Sequence, residues 1–345
     1  MADNSKNFST SVNPFGMPDL IYKAVNESIE YFTAAPDEYI KQFTAAISEK
    51  EKISEENIVC SCGGEDILFK LLSVIKPRNA LIVAPCLFTY HNIFKLSECK
   101  ADFYTSSEQN DFWLTEEIFD SISDETDVIF LSSPNNITGA AVSAEMIRKL
   151  SEKCEETNTF IIIDASLGGF SNEYYFDISS EKVIVFRDLS DYYSLAGLKI
   201  GYAFSGNIGL ISKLCTLPCG LNIPALAAAV GALYDRGFEE WTQKCIFRER
   251  KYLSDCLSNL SFQVLPSAAD FLLVKTPICI YDILEKKGFE ILKCDNIPGL
   301  GENYYRITVR DHEDNSHLVF ALGRGVFEFL RKNENFLSEL IDPYI

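Results

Sequence analysis

The stretch that most constrains this chain is Val183–Phe204, VIVFRDLSDYYSLAGLKIGYAF. Val183–Phe186 reads as a buried strand, and Ile200–Phe204 reads as a second. Between them lie a polar turn, Arg187–Asp191, and a small-residue segment, Ser194–Gly197. Short apolar runs of the same kind recur at Ala80–Ala84, Val128–Leu131 and Phe160–Ile163. Helical periodicity appears at Glu38–Glu49 and Ile67–Ile75. The run at Phe160–Ile163 ends in Asp164. A carboxylate at the C-terminal end of a buried strand stands where ligands bind in open α/β sheets.

The 345 residues suffice for one large or two modest domains. A hydrophobic content of 47% with 23% charged residues is that of an ordinary globular protein. The net charge of −19 argues against nucleic acid or an anionic membrane as a partner. Eleven cysteines are scattered, mostly in apolar runs, and read as reduced core thiols. Neither Cys60-x-Cys62 nor the Cys215/Cys219 pair has zinc spacing with a second half-site, and His91, His312 and His317 are isolated. No metal is therefore expected. The polar start MADNSKNFST and the lack of a long apolar run predict a cytoplasmic protein without a membrane span.

Ser11–Leu20, SVNPFGMPDL, is an irregular arm broken by Pro14, Gly16 and Pro18. A helix is predicted over Ile21–Glu30, followed by YFTAAPD at Tyr31–Asp37. Ile58–Asp66, IVCSCGGED, runs from strand through a glycine pair into a helix start. Unpaired first-turn amides and the helix dipole make that turn a candidate anion cradle. Pro85–Tyr90 is PCLFTY, and Ser133–Gly139 is SPNNITG, whose Asn-Asn and Thr-Gly are also good turn chemistry. Helical character follows Thr216–Ala232 and runs through Arg248, Arg250 and Lys251. Gly288–Ile297 and Tyr304–Val309 alternate like strands of a half-exposed antiparallel sheet, and a last helix is predicted over Ser316–Lys332. Arg306 and Arg310 bracket one strand and could grip a carboxylate and a phosphate with their planar donor forks. Surface ion pairing in an acidic protein is the alternative.

Spread in order over residues 11–330, these segments resemble the fold-type-I pyridoxal-phosphate (PLP) enzymes, class I/II aminotransferases. The resemblance is to the branch of histidinol-phosphate aminotransferase and threonine-phosphate decarboxylase. Leu189, Ser190, Tyr193, Leu195, Ala196, Gly197, Leu198, Gly201 and Tyr202 fit the branch's Schiff-base segment. The resemblance implies a large domain with a mostly parallel seven-stranded sheet flanked by helices, and a smaller α+β C-terminal domain. The boundaries it suggests are an arm at 1–30, the large domain at 31–235 and the small domain at 236–345 with part of the arm.

It also implies roles. The turn at Gly63, Gly64 and Glu65 would hold the cofactor phosphate. Tyr90 would stack on the pyridine ring, Asn136 would donate to the phenolic oxygen, and Asp164 would pair with the ring nitrogen and make the ring an electron sink. Core packing is the alternative for Tyr90. Arg306 falls at the carboxylate-binding arginine, and Arg310 matches the decarboxylase. Asn13, in the NPFGMP arm, falls on the substrate side. Tyr31 would reach into the partner's site in a homodimer, or is an ordinary buried aromatic.

Three central positions depart from the pattern. Asp191 stands at the Schiff-base lysine, Asp188 at a phosphate-binding Ser/Thr, and Lys199 at a phosphate-binding arginine. Leu167, Asp270 and Ile137 replace the usual aromatic, asparagine and proline. A carboxylate cannot form an imine. A carboxylate 4 Å from a phosphate charge costs roughly 4 kcal/mol at an effective dielectric near 20. Any PLP would be held non-covalently. Two expectations follow: an enzyme of altered catalysis acting on amino or phospho-amino acids, or a non-catalytic pseudoenzyme binding a small anionic or amino ligand or a paralogous subunit.

Overall fold

The computed structural model describes residues 6–171 and 178–333. The chain opens with β1 (Lys6–Phe8), α1 (Asp19–Ser28), α2 (Asp37–Glu51), β2 (Ile58–Ser61), α3 (Gly64–Ile75) and β3 (Asn79–Ala84). It continues through α4 (Phe88–Leu96), β4 (Lys100–Thr105), β5 (Val128–Ser132), α5 (Ala144–Thr157), β6 (Phe160–Asp164), β7 (Val183–Asp188) and β8 (Gly201–Ser205). Then come α6 (Ile208–Cys215), α7 (Ile223–Tyr234), α8 (Arg236–Asn259), β9 (Gln263–Val264), β10 (Phe271–Lys275), α9 (Ile280–Glu285), β11 (Phe289–Lys293), β12 (Tyr304–Thr308) and α10 (His312–Lys332).

The larger sheet has seven strands in the order β2-β8-β7-β6-β5-β3-β4. Strands β4, β3, β5, β6 and β7 run parallel, and β8 is antiparallel to both β7 and β2. The central strands are continuous apolar runs because helices cover both faces. Ile82, Phe130, Ile162, Ile184 and Phe186 pack toward α3 and α4. Ile129, Ile161, Ile163, Val183 and Val185 face the other layer, with α2, α5, α7 and α8.

The smaller sheet has the order β1-β11-β12-β10-β9. The arm joins it through β1, parallel to β11. Residues 1–5 of the expected arm and 334–345 of the expected small domain lie outside the described residues.

Several boundaries differ from the expected ones. Helix α3 begins at Gly64, three residues before the predicted start, because Gly63 takes φ +97° and turns the strand directly into the helix. Helix α10 begins at His312, where the Asp311 side chain accepts from the Asp314 N–H and caps it. Strand β12 was expected half-exposed and is buried throughout. It is the middle strand of its sheet, with Tyr305 and Ile307 in the main core and Tyr304 against Phe112, Leu265 and Cys294. The eleven cysteines are free thiols; Cys215 and Cys219 are exposed. Among the described residues no helix is long and apolar enough to cross a membrane.

Candidate active site

The parallel register sets Ser132 of β5 beside Asp164 of β6 at the C-terminal edge of the sheet, with Asp164 paired to Phe186 of β7. Asp164 is buried and fully engaged. Its Oδ1 accepts from the Ser166 N–H at 2.9 Å and the Ser166 hydroxyl at 2.5 Å. Its Oδ2 accepts from the Tyr90 hydroxyl and, at 3.3 Å, from Asn136 Nδ2. Asn136 Nδ2 also donates to Tyr90 at 3.2 Å, and Ser132 Oγ donates to Asn136 Oδ1 at 3.1 Å. Burial raises the Asp164 carboxyl above its usual range; the bonds from Ser166 and Tyr90 oppose this, and the Asp188 charge adds to it.

The two asparagines of SPNNITG divide their work. Asn135 builds the turn, accepting from the Ile137 and Thr138 N–H groups at 2.9 Å each and donating to the Pro85 carbonyl at 2.8 Å. Asn136 alone turns into the site. Tyr90 has a different part from the expected stacking platform. Its hydroxyl is spent on Asp164, its ring lies 4.7 Å from that of Phe130, and burial leaves it little free face.

At the other end, Asp188 lies on the glycine pair. Its Oδ2 accepts from the Gly64 N–H at 2.8 Å, and its Oδ1 accepts from the Ser190 N–H at 2.8 Å. Its own N–H donates to Ser166 Oγ at 2.9 Å. Glu65, next in the helix, is exposed. Asp191 is exposed to solvent at one side, yet protein surrounds it on most others. Burial first, then the Asp188 and Asp270 charges, raise its carboxyl to about 7, against the pull of Lys199 and Arg306. Lys199 is exposed, with φ +48°.

Arg306 is buried and already held. It donates to the Asn136 carbonyl at 2.6 Å and the Ser9 carbonyl at 2.8 Å, and its guanidinium lies 4.7 Å from the Phe271 ring. Among the described residues its Nε has no partner, nor has Oδ2 of the buried Asp270, whose Oδ1 accepts from Ser11 at 2.5 Å. Arg310 lies 3.9 Å from Asp314, and its N–H donates to Asn315 Oδ1 at 2.9 Å. Asn13 is a clamp: its Nδ2 donates to the Tyr192 carbonyl at 2.9 Å, and its N–H donates to the Asp191 carbonyl at 3.0 Å. Tyr31 is exposed, edge-on to Tyr39 at 5.9 Å.

Sequence reasoning missed Ser166, the hydroxyl that joins Asp164 to the backbone of Asp188. A signal existed. Asp164-Ala-Ser166 and Asp188-Leu-Ser190 share an Asp-x-Ser spacing, and in both the aspartate accepts from the serine N–H. The cysteine spacing also hid a cluster. The Cys62, Asp66 and Cys219 ligand atoms lie within 4.8 Å of one another, but Asp66 Oδ2 already accepts from Ser61, the Cys62 N–H and Lys70.

PLP, which the resemblance implies, finds a poor fit. The ring-side residues Asp164 and Asn136 are present, but their polar atoms bond to Tyr90 and to each other. Asp191 offers no amine, and a carboxylate takes the Gly64 amide that a phosphate would need.

The aminotransferase class I and II family model matches residues 6–322. A threonine-phosphate decarboxylase of Salmonella typhimurium is 26% identical over 330 residues, covering 93% of this chain and 91% of that one. Histidinol-phosphate aminotransferase 1 of Archaeoglobus fulgidus is 30% identical over 327 residues, covering 91% and 97%. The crystal structure of histidinol-phosphate aminotransferase from Clostridium acetobutylicum superposes with a TM-score of 0.87 at 24% identity, over 93% of this chain and 99% of that one. The seven-stranded sheet is thus that of the type-I PLP aminotransferases, and the chain belongs to the aminotransferase class I and II family.

Proposed function

We propose that this chain is a non-catalytic member of its family, a pseudoenzyme that keeps the scaffold and a place for a small amino or phospho-amino-acid ligand. The observation that carries the reading is the carboxylate of Asp191 in the turn after β7, among Asp188, Asp270, Lys199 and Arg306. Imine chemistry needs a nucleophilic amine there, and a carboxylate supplies none. The ligand class rests on the names of the relatives, a threonine-phosphate and two histidinol-phosphate enzymes. Arg306 supports it with a buried guanidinium whose Nε has no partner among the described residues.

The same reading makes the protein a cytoplasmic homodimer. Leu20, Tyr22, Ile29, Tyr31 and Phe32 expose a run of apolar side chains, and Tyr31 lines a groove of about 610 Å³ with Glu27, Glu38 and Tyr39. Free thiols throughout agree with a reducing compartment.

The test is PLP titration of the purified protein, followed by absorbance and borohydride trapping. No trapped adduct is expected. A stoichiometric adduct on the native chain would overturn the reading.

A further inference from the structure

The phosphate end of the site disagrees with the group its family implies, and the disagreement has a definite shape. Gly63 adopts φ +97°, and a Cβ built there would lie 2.7 Å from Asp188 Oδ2. At Gly64 a Cβ would lie 3.5 Å from the Asp188 Cβ and 3.0 Å from the Phe186 ring. The Asp188 side chain therefore rests directly on the bare backbone of the glycine pair, in space that any larger residue at 63 would fill. Both oxygens are used there, one on Gly64 and one on Ser190. The main chain of Asp188 is pinned in turn by Ser166, which is bonded to the buried Asp164. This carboxylate does not swing at the end of a free side chain; its backbone and both oxygens are fixed.

We infer that Asp188 is a built-in anion that fills the chain's own cradle, takes the amide a phosphate would need, and closes this turn, at the start of α3, to an external phosphate. The notion of a cradle rests on the family reading of this turn, but the inference does not depend on whether the protein is catalytic. It makes two demands. The native chain must lack a phosphate site at the start of α3, and removal of the carboxylate must create one. Helix geometry favours an anion there whichever molecule supplies it, because the first-turn amides and the dipole are unchanged. A free anion should therefore replace the lost side chain.

The experiment uses inorganic phosphate alone, without PLP, so that it reads neither imine chemistry nor Asp191. Native protein, Asp188→Ser and Asp188→Asn are compared by calorimetric titration and by thermal unfolding, with sodium chloride at matched ionic strength as control. Asp188→Ser should melt below the native protein and regain stability with phosphate but not with chloride. Its phosphate affinity should exceed the native protein's by at least about 100-fold, the scale set by removing one like charge at contact. Asp188→Asn loses the charge but keeps an oxygen for the Gly64 N–H, and should bind phosphate better than the native chain and more weakly than Asp188→Ser. Saturable phosphate binding by the native chain, abolished by a bulky residue at Gly64, would overturn the inference, and this arm needs no Asp188 variant to fold. Folded Asp188→Ser that gains no phosphate binding would overturn it too. So would Asp188→Asn binding phosphate as well as Asp188→Ser, since the side chain's hold on the Gly64 amide would then count for nothing. A PLP adduct on the native chain would sink the pseudoenzyme reading while leaving these arms to be judged separately.

Discussion

Asp191→Asn should stabilise this protein, and should do so only above a certain pH. The Asp191 carboxyl is raised from 3.8 to about 7 by burial and by the Asp188 and Asp270 charges, with Lys199 and Arg306 opposing. Between those two values the folded chain holds a proton that the unfolded chain has released. Stability therefore falls as pH rises through this window, since the unfolded state binds fewer protons there. The full shift would correspond to about 4 kcal/mol by linkage. Asp191 is solvent-exposed, and screening reduces the figure to on the order of 1–2 kcal/mol. For a chain of this length that is a melting shift of about 2 °C. The amide matches the carboxyl in size and keeps the backbone bond from Asn13. Thermal melts of both proteins from about pH 4 to pH 8 should coincide at the acid end and separate through neutrality, the variant higher. A constant offset at every pH would refute the argument, as would a variant less stable at the alkaline end.

Three further outcomes are expected. Asp191→Lys alone should give little borohydride-trapped PLP, whereas Asp191→Lys with Asp188→Thr should give much more than the two single variants combined, because both positions act on one ligand. Tyr90→Phe removes a donor from the buried Asp164 Oδ2 and should cost about 1–3 kcal/mol in denaturant unfolding. Asn13→Ala leaves the Tyr192 carbonyl and the Phe15 N–H without their side-chain partner; a loss of about 1–3 kcal/mol should appear in the same assay, with the circular dichroism spectrum unchanged.

The sheet was legible in the sequence because its strands are short apolar runs that parallel packing buries on both faces, as at Ile161–Ile163 and Val183–Phe186. What blurred was set by single residues with special backbone freedom or by a neighbour in space. Gly63 moved the start of α3 earlier, and Asp311 did the same for α10. The burial of β12 could not be read from its own alternation, because Phe112 and Cys294, which cover Tyr304, are remote in the chain or belong to another element.

The sequence named several residues that converge, but not how they bond. Asp164, Asn136 and Tyr90 do converge, and so do Asp188 and the glycine pair. The motif says which residues meet, but each buried polar atom takes whichever partner the fold supplies at hydrogen-bond distance. Here the partners are the protein's own groups, and the choice follows from donors at hand. Asp188 has two N–H groups within reach and occupies the cradle. Asp191, three residues on, has no side-chain hydrogen bond among the described residues, and faces two other carboxylates. Without a donor, and raised by burial first and then by those charges, its carboxyl holds a proton to higher pH than an ordinary aspartate does. Two aspartates that look alike in the sequence thus stand in different surroundings: one accepts two backbone N–H bonds, and the other has a carboxyl raised by burial and by neighbouring carboxylates. The Asp-x-Ser spacing marks the first and is absent from the second, whose residue two positions on is Tyr193. That difference was written in the chain, and it becomes readable once each carboxylate is asked which N–H it can reach.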